Sequence, residues 1–346
     1  MNADDLIALN EEIAGMARAG LPLEEGLSAM AKEMARGRLQ RVTAKIAADL
    51  KAGHTLPEAL QRQSGKLPPF YASLVTAGIR TDHLEEVMAT LTEYARSLAD
   101  LRSTVFGAFF YPAVVLLFAG TLFGLSCFYV IPQFAQIFKD FEMKLPLLTT
   151  WVFAIAEHPV EIVVVPVVVT VGALVLAKLI LNLTDPGRRA WARFVYAIPA
   201  IGTMIRAMRL SAFTELLAIL VDRAVPLGEA FGLAGAACND PVMATAARQV
   251  QEDLNQGTPL GTVLRSRLLV PELVAWMIGQ GERRGALGKQ LHEISAIYRR
   301  QVEIRATLLR NVLPPFLIIS TAGLLVAFFV FSLVLPMMRL LEGLSK

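Results

Sequence analysis

The side chains able to carry chemistry are few and scattered. A P-loop needs a glycine five residues before a Gly-Lys pair and a hydroxyl residue after it, so that backbone amides cradle a phosphate. Gly65-Lys66 has Leu60 at the first place and Gly288-Lys289 has Arg283, while Leu67 and Gln290 follow the lysines. No nucleotide site of this kind is expected. The four histidines, His54, His83, His158 and His292, share no metal-ligand spacing, and neither HExxH nor GxSxG occurs. Surface or capping roles suit them. Cys127 and Cys238 lie in different kinds of segment, one apolar and one polar, which argues against a disulfide or a cysteine metal site. No catalytic residue, cofactor or metal is expected.

The motifs that remain concern backbone shape and packing. Gly53 and Gly257 punctuate helical stretches. Gly281-Glu282-Arg283-Arg284-Gly285-Ala286-Leu287 sits between two helical patterns, and reads either as a left-handed turn with a solvated charged loop or as a surface met by a partner. Gly120 and Gly124 form a GxxxG in an apolar run, and Gly323 with Ala327 makes a similar ridge in another, where a second helix can approach closely. Pro112, Pro314 and Pro315 lie where helical patterns enter those runs.

The elements that hold these residues divide by hydropathy. The 346 residues are 55% hydrophobic with mean hydropathy +0.52, which excludes a disordered chain. Charge-free windows run from Ser103 to Phe138, Ile162 to Ala177 and Asn311 to Met338, while charges recur every few residues elsewhere. A helix crosses a hydrocarbon core about 30 Å thick with about 20 apolar residues. Three transmembrane helices are therefore expected, at 106–131, 160–183 and 311–338. The middle one spans if Glu161 and Lys178 reach toward headgroups, and its valine run, broken by Pro166, has a buried strand as its alternative.

Met1 to Gly20 carries Asp4, Asp5, Glu11 and Glu12 where a signal peptide has a basic start and an apolar stretch. No cleavable signal is expected, so the N-terminus stays cytoplasmic. Lys and Arg near the spans agree: Arg96 and Arg102, then Arg188, Arg189 and Arg193, then Arg299, Arg300, Arg305 and Arg310, against only Lys139 and Lys144 in the 132–159 loop. That loop and the 339–346 tail are expected to be periplasmic. Residues 1–105 hold 12 basic and 14 acidic side chains, and residues 184–310 hold 16 and 11. The positive balance of the second region suits anionic lipid and the topology signal better than a binding surface for nucleic acid or an acidic partner.

An internal repeat ties the parts together. At a spacing of 204, Pro22 matches Pro226, Leu23 matches Leu227, and Gly53, Leu56 and Leu60 match Gly257, Leu260 and Leu264. After a one-residue slip, Pro68 pairs with Pro271, Gly78 with Gly281, Leu84 with Leu287, Arg102 with Arg305 and Pro112 with Pro315. Leu39, Val42, Ile46 and Leu50 form a helical stripe that Met243, Ala246, Val250 and Leu254 repeat. Longer stripes, from Leu84 to Val105 and from Leu287 to Val302, lead into the first and third spans. The expected fold is all-α: an integral membrane protein with two homologous cytoplasmic helical bundles, 1–105 and 184–310. Each bundle's last helix continues into the membrane as one rod, and the unpaired middle span returns the chain.

Two AGxPL-type turns, two G-x-x-L-x-x-x-L elements, a GExxGxL turn and rods meeting a proline resemble the F-type inner-membrane platform proteins of type II secretion and type IV pilus machines. Tyr111-Pro112 and Leu145-Pro146-Leu147-Leu148-Thr149 resemble that family's Tyr-Pro and LPxxT stretches. Ile79 and Asp82 stand where the family turn has Glu and Gly, so any role of that turn rests on Glu282 and Gly285. The chain starts almost directly with the first repeat, as in the shorter type IVb or conjugative pilus members. The resemblance implies a non-enzymatic platform in the bacterial inner membrane and a homo-oligomer. Its implied partners are a hexameric cytoplasmic ATPase, pilin or pseudopilin subunits and other inner-membrane assembly proteins.

A small-molecule transporter is the alternative. It requires polar groups converging at mid-membrane, where only Ser126, Ser320 and Thr321 are on offer. A membrane-anchored sensor has less support, since the outer loop is short.

Overall fold

The computed structural model describes residues 3–63, 65–80, 82–130, 133, 161–162, 165–198, 201–238, 240–267, 270–330, 334 and 337–338. The Leu145–Thr149 stretch, the 339–346 tail and nearly all of the 132–159 loop lie outside them. Among the described residues every regular element is helical and no strand occurs.

Six helices build the first copy: α1 (Ala3–Arg18), α2 (Leu23–Glu33), α3 (Arg38–Lys51), α4 (Leu56–Arg62), α5 (Tyr71–Arg80) and α6 (Leu84–Leu125), the last continued by a π turn at Ser126–Val130. Two helices follow, α7 (Val165–Leu181) and α8 (Asp185–Ala197). The second copy consists of α9 (Ile201–Asp222), α10 (Leu227–Ala237), α11 (Pro241–Asn255), α12 (Leu260–Arg267), α13 (Glu272–Arg283) and α14 (Leu287–Phe329). The order of the second set reproduces the first in the register read from sequence, and the helix starts agree within about two residues except for α9, which begins six residues before the counterpart of Ala3. Local chemistry starts these helices: Thr55 and Glu58 make a capping box for α4, and Asp240 accepts from the Val242 amide at 2.9 Å to cap α11.

The two copies do not stand as separate compact units. Met1–Val105 and Ala192–Ile304 form one, with a shared apolar core. Leu9, Ile13, Leu27, Ile46 and Leu74 of the first copy and Phe213, Phe231, Val250, Leu264 and Ile278 of the second are buried in it. Amphipathic stripes dictate burial of a face without naming the neighbour, and pooling the stripes of the helices of both copies removes more apolar surface from water than two small cores would.

Phe106–Trp191 and Arg305–Lys346 form the second unit. The described apolar lengths of α6 and α14 in it expose large apolar side chains: Phe110, Leu117 and Ile319 are each more than 70% exposed. Such contiguous exposure is unfavourable in water and natural in lipid. The ring centroids of Phe123 and Phe328 lie 5.0 Å apart, so the apolar ends of α6 and α14 touch.

At 42 and 43 residues, α6 and α14 are about 63–65 Å long. Their apolar windows have mean hydropathies of 2.0 and 2.2, and both helices are long and apolar enough to cross a membrane. Each runs unbroken through its proline, Pro112 in α6 and Pro314-Pro315 in α14. Proline cannot donate to the carbonyl four residues back, so those of Ala108, Arg310 and Asn311 lose their usual donor. The described part of the middle apolar segment, α7, has 17 residues and is correspondingly shorter.

Candidate functional site

Three of the glycines singled out by type follow helix ends. Gly53, Gly257 and Gly285 have φ of 88°, 83° and 66°, the left-handed region where a Cβ is strained. In each case the next amide bonds back to the start of the preceding turn: His54 N to Asp49 O at 3.1 Å, Thr258 N to Asp253 O at 3.1 Å and Ala286 N to Gly281 O at 2.9 Å. These are Schellman ends that satisfy carbonyls left over at a helix C-terminus. The matching positions of the other copy keep the geometry without glycine: Asp82 has φ 57° opposite Gly285, and Ala224 has φ 54° opposite Gly20 at 63°. The Asp82 departure therefore leaves the turn's shape intact.

Gly281 serves close packing. A Cβ there would come within 2.8 Å of the Gln290 Cβ and 3.3 Å of the Leu287 Cα, and its counterpart Gly78 is equally tight against Val87. Gly120, Gly124 and Gly323 differ, since no described atom lies within 4 Å of a Cβ placed on any of them. The membrane ridges are thus open.

Glu282 is exposed at the rim of a groove of about 570 Å³ between α12 and α13. Its floor is bare backbone: a Cβ on Gly279 would sit 3.5 Å from the Gly261 Cα. Trp276, 48% exposed, and Arg283 stand on its wall. The first copy has Ser73, Ile79 and Arg80 where the second has Trp276, Glu282 and Arg283. There the α5 face meets the α9–α10 turn. The Ser73 hydroxyl bonds Glu229 at 3.3 Å, while Arg223 reaches Glu86 at 3.2 Å and Thr90 at 3.1 Å.

Two polar clusters escaped the sequence, because their members are far apart along the chain. Asp240, almost fully buried, pairs with Arg209 at 2.7 Å and accepts from the Tyr196 hydroxyl, and the Arg206 guanidinium stacks 4.7 Å from the Tyr196 ring centre. Burial, then the bond to Asp240, pushes the Tyr196 hydroxyl well above its ordinary pKa. A cavity of about 550 Å³ borders this cluster, with Arg193 on its wall.

His292 joins α14 to α9 through Asp222 at 3.0 Å and Glu215 at 3.6 Å. The bond to Glu215 raises its pKa to about 9 against the opposing effect of burial, with Asp222 helping. Burial by itself would raise the Glu215 carboxyl, but bonds from His292 and Ser295 outweigh it and hold the pKa below the ordinary value. The described residues contain no cluster of His, Cys, Asp and Glu fit for a metal.

A family model described as "Type II secretion system (T2SS), protein F" matches residues 11–132 and again 213–336, the two copies. The type IV pilus assembly protein TapC of Aeromonas hydrophila is 28% identical over 97% of this chain and 81% of its own length. Type II secretion system protein F of Pseudomonas aeruginosa is 26% identical, covering 98% and 84%. Type IV pilus assembly protein PilC of Thermus thermophilus is 27% identical, covering 99% and 84%.

Proposed function

The chain belongs to the type II secretion system protein F family, and from that premise we propose that it is a non-enzymatic inner-membrane platform of a type IV pilus or type II secretion machine. In this reading a cytoplasmic assembly ATPase works on the helical unit, and pilin or pseudopilin subunits are drawn from the bilayer beside the spans. The spans are 106–131, 160–183 and 311–338, the N-terminus is cytoplasmic and the C-terminus periplasmic. The names of TapC, PilC and protein F support the machine class.

One observation carries the mechanism. Each copy ends in a helix that begins among buried residues such as Val87 or Leu291 and continues for more than 40 residues into an apolar stretch. A helix transmits axial force and torque through its hydrogen-bond ladder, whereas a loop absorbs both. A push on the polar half of α6 or α14 thus reaches the bilayer half. Gly53, Gly257, Gly281 and Gly285 contribute by setting the angles at which the short helices brace that rod.

Replacing residues 96–101 by a Gly/Ser linker is expected to abolish filament output while the protein remains inserted. Pilus shearing, or secretion of a folded substrate, measures output, and alkaline extraction of membranes measures insertion. Normal output from an inserted linker variant refutes force transmission through α6.

A further inference from the structure

A repeat that folds on itself through a two-fold axis makes every contact twice. This one does not. In the first copy, the α5 face carrying Ser73, Thr76 and Arg80 is met by the α9–α10 turn of the second, with Val225, Pro226 and Glu229 across a shared groove. The reciprocal pair is the α13 face of the second copy and the α1–α2 turn of the first, and it is unmade. Trp276, the counterpart of Ser73, is 48% exposed, and Leu21, the counterpart of Val225, is 56% exposed. Tyr94 repeats the asymmetry. Its hydroxyl donates to the Ala212 carbonyl at 3.4 Å, while its counterpart Ile297 is 47% exposed. Each chain therefore holds one filled turn-on-face contact, one free face and one free turn.

The free surfaces match in chemistry. Transferring the filled contact by the repeat register brings Leu21 to the groove wall of Trp276 and Gly279, the counterparts of Ser73 and Thr76, and puts Glu25 where Glu229 stands. Glu25 then faces the wall carrying Trp276 and Arg283, an indole N–H and a guanidinium, both suited to a carboxylate. Leu21, Glu25, Trp276 and Arg283 are all exposed within one chain.

We infer that a second copy of this chain seats its α1–α2 turn, residues 19–25, in the groove around Trp276. The contact is head-to-tail, so a bound dimer still offers one free face and one free turn. Successive chains add in the same way, closing into a ring if the rotation per chain divides a full turn and otherwise extending as an open array. The inference rests on the repeat geometry and not on the platform role, so its failure would leave that role standing.

Full-length chains in detergent or nanodiscs, with Cys127→Ser and Cys238→Ser as background, provide the test. Leu21→Cys on one tagged chain and Trp276→Cys on another are expected to bridge under mild oxidation, and a chain carrying both to give a ladder of multimers. Ser73→Cys with Val225→Cys, the equivalent pair inside one chain, is the positive control. Arg283→Glu should lower the yield about five-fold, the upper range for one exposed ion pair, and adding Glu25→Arg should restore it. The inference is overturned if the control bridges but Leu21→Cys and Trp276→Cys do not. Bridges confined to Leu21→Cys with itself or Trp276→Cys with itself would indicate a two-fold contact and overturn it equally. A charge swap that fails to rescue also overturns the proposed seating of Glu25.

Discussion

Three pairs of residues carry the left-handed backbone that ends the helices: Gly20 and Ala224, Gly53 and Gly257, Asp82 and Gly285. The backbone conformation survives repeat divergence even where the glycine does not, because the orphan carbonyls still need the returning amide. Ala224 bears the strain most plainly, since aspartate tolerates the left-handed region better than alanine. Ala224→Gly is expected to raise unfolding stability by roughly 0.5–1 kcal/mol, after allowance for glycine's freer unfolded chain. Gly257→Ala should lower it by about 1 kcal/mol. Thermal melts of the purified protein followed by circular dichroism check both signs. Glycine with its turn neighbours was legible from sequence spacing. That the same geometry persists at Asp82 and Ala224 was not, because residue type reports a preference and only coordinates report φ.

Among elements, the join between α9 and α14 is electrostatic at its exposed edge. His292 has its pKa raised to about 9 by Glu215 and Asp222. A histidine bound more tightly when charged stabilises the fold fully below its unfolded pKa of about 6.5, and the contribution fades as pH rises through about 9. Stability of the wild type should therefore decline between about pH 6.5 and 9 relative to His292→Gln, in which that component of the slope is absent. Chemical denaturation at a series of pH values reads it directly. The helices themselves follow from the apolar periodicity, and the boundaries of α2 and α10 coincide under the 204-residue spacing. Which helix each stripe packs against depended on long-range contacts such as Ser211 with Ser295, 84 residues apart, and no local pattern encodes those.

At the scale of the molecule, both copies share one compact unit, and the proposed topology puts them in one compartment. Single cysteines at Lys45 and Gln249 are therefore expected to react alike with a membrane-impermeant maleimide in right-side-out spheroplasts, both protected until the membrane is permeabilised. Opposite behaviour would contradict both the shared core and the proposed topology. The proposed topology correspondingly puts two crossings between the copies, 106–131 and 160–183, with α7 within the second.

The linear chain by itself determined the duplication, the helical character, the two long apolar-ended helices and the absence of familiar catalytic motifs. These properties reside in composition, period and spacing, which need no neighbour to be read. Only the tertiary structure decided that the copies share one core, that Asp240 holds Arg209 and Tyr196, and that the groove at Trp276 stays open while its counterpart at Ser73 is covered. Hydrophobic burial is non-directional, so a stripe demands a partner without specifying one. The choice among partners, and hence which repeat surface is left free, is made only when the whole set of helices packs at once.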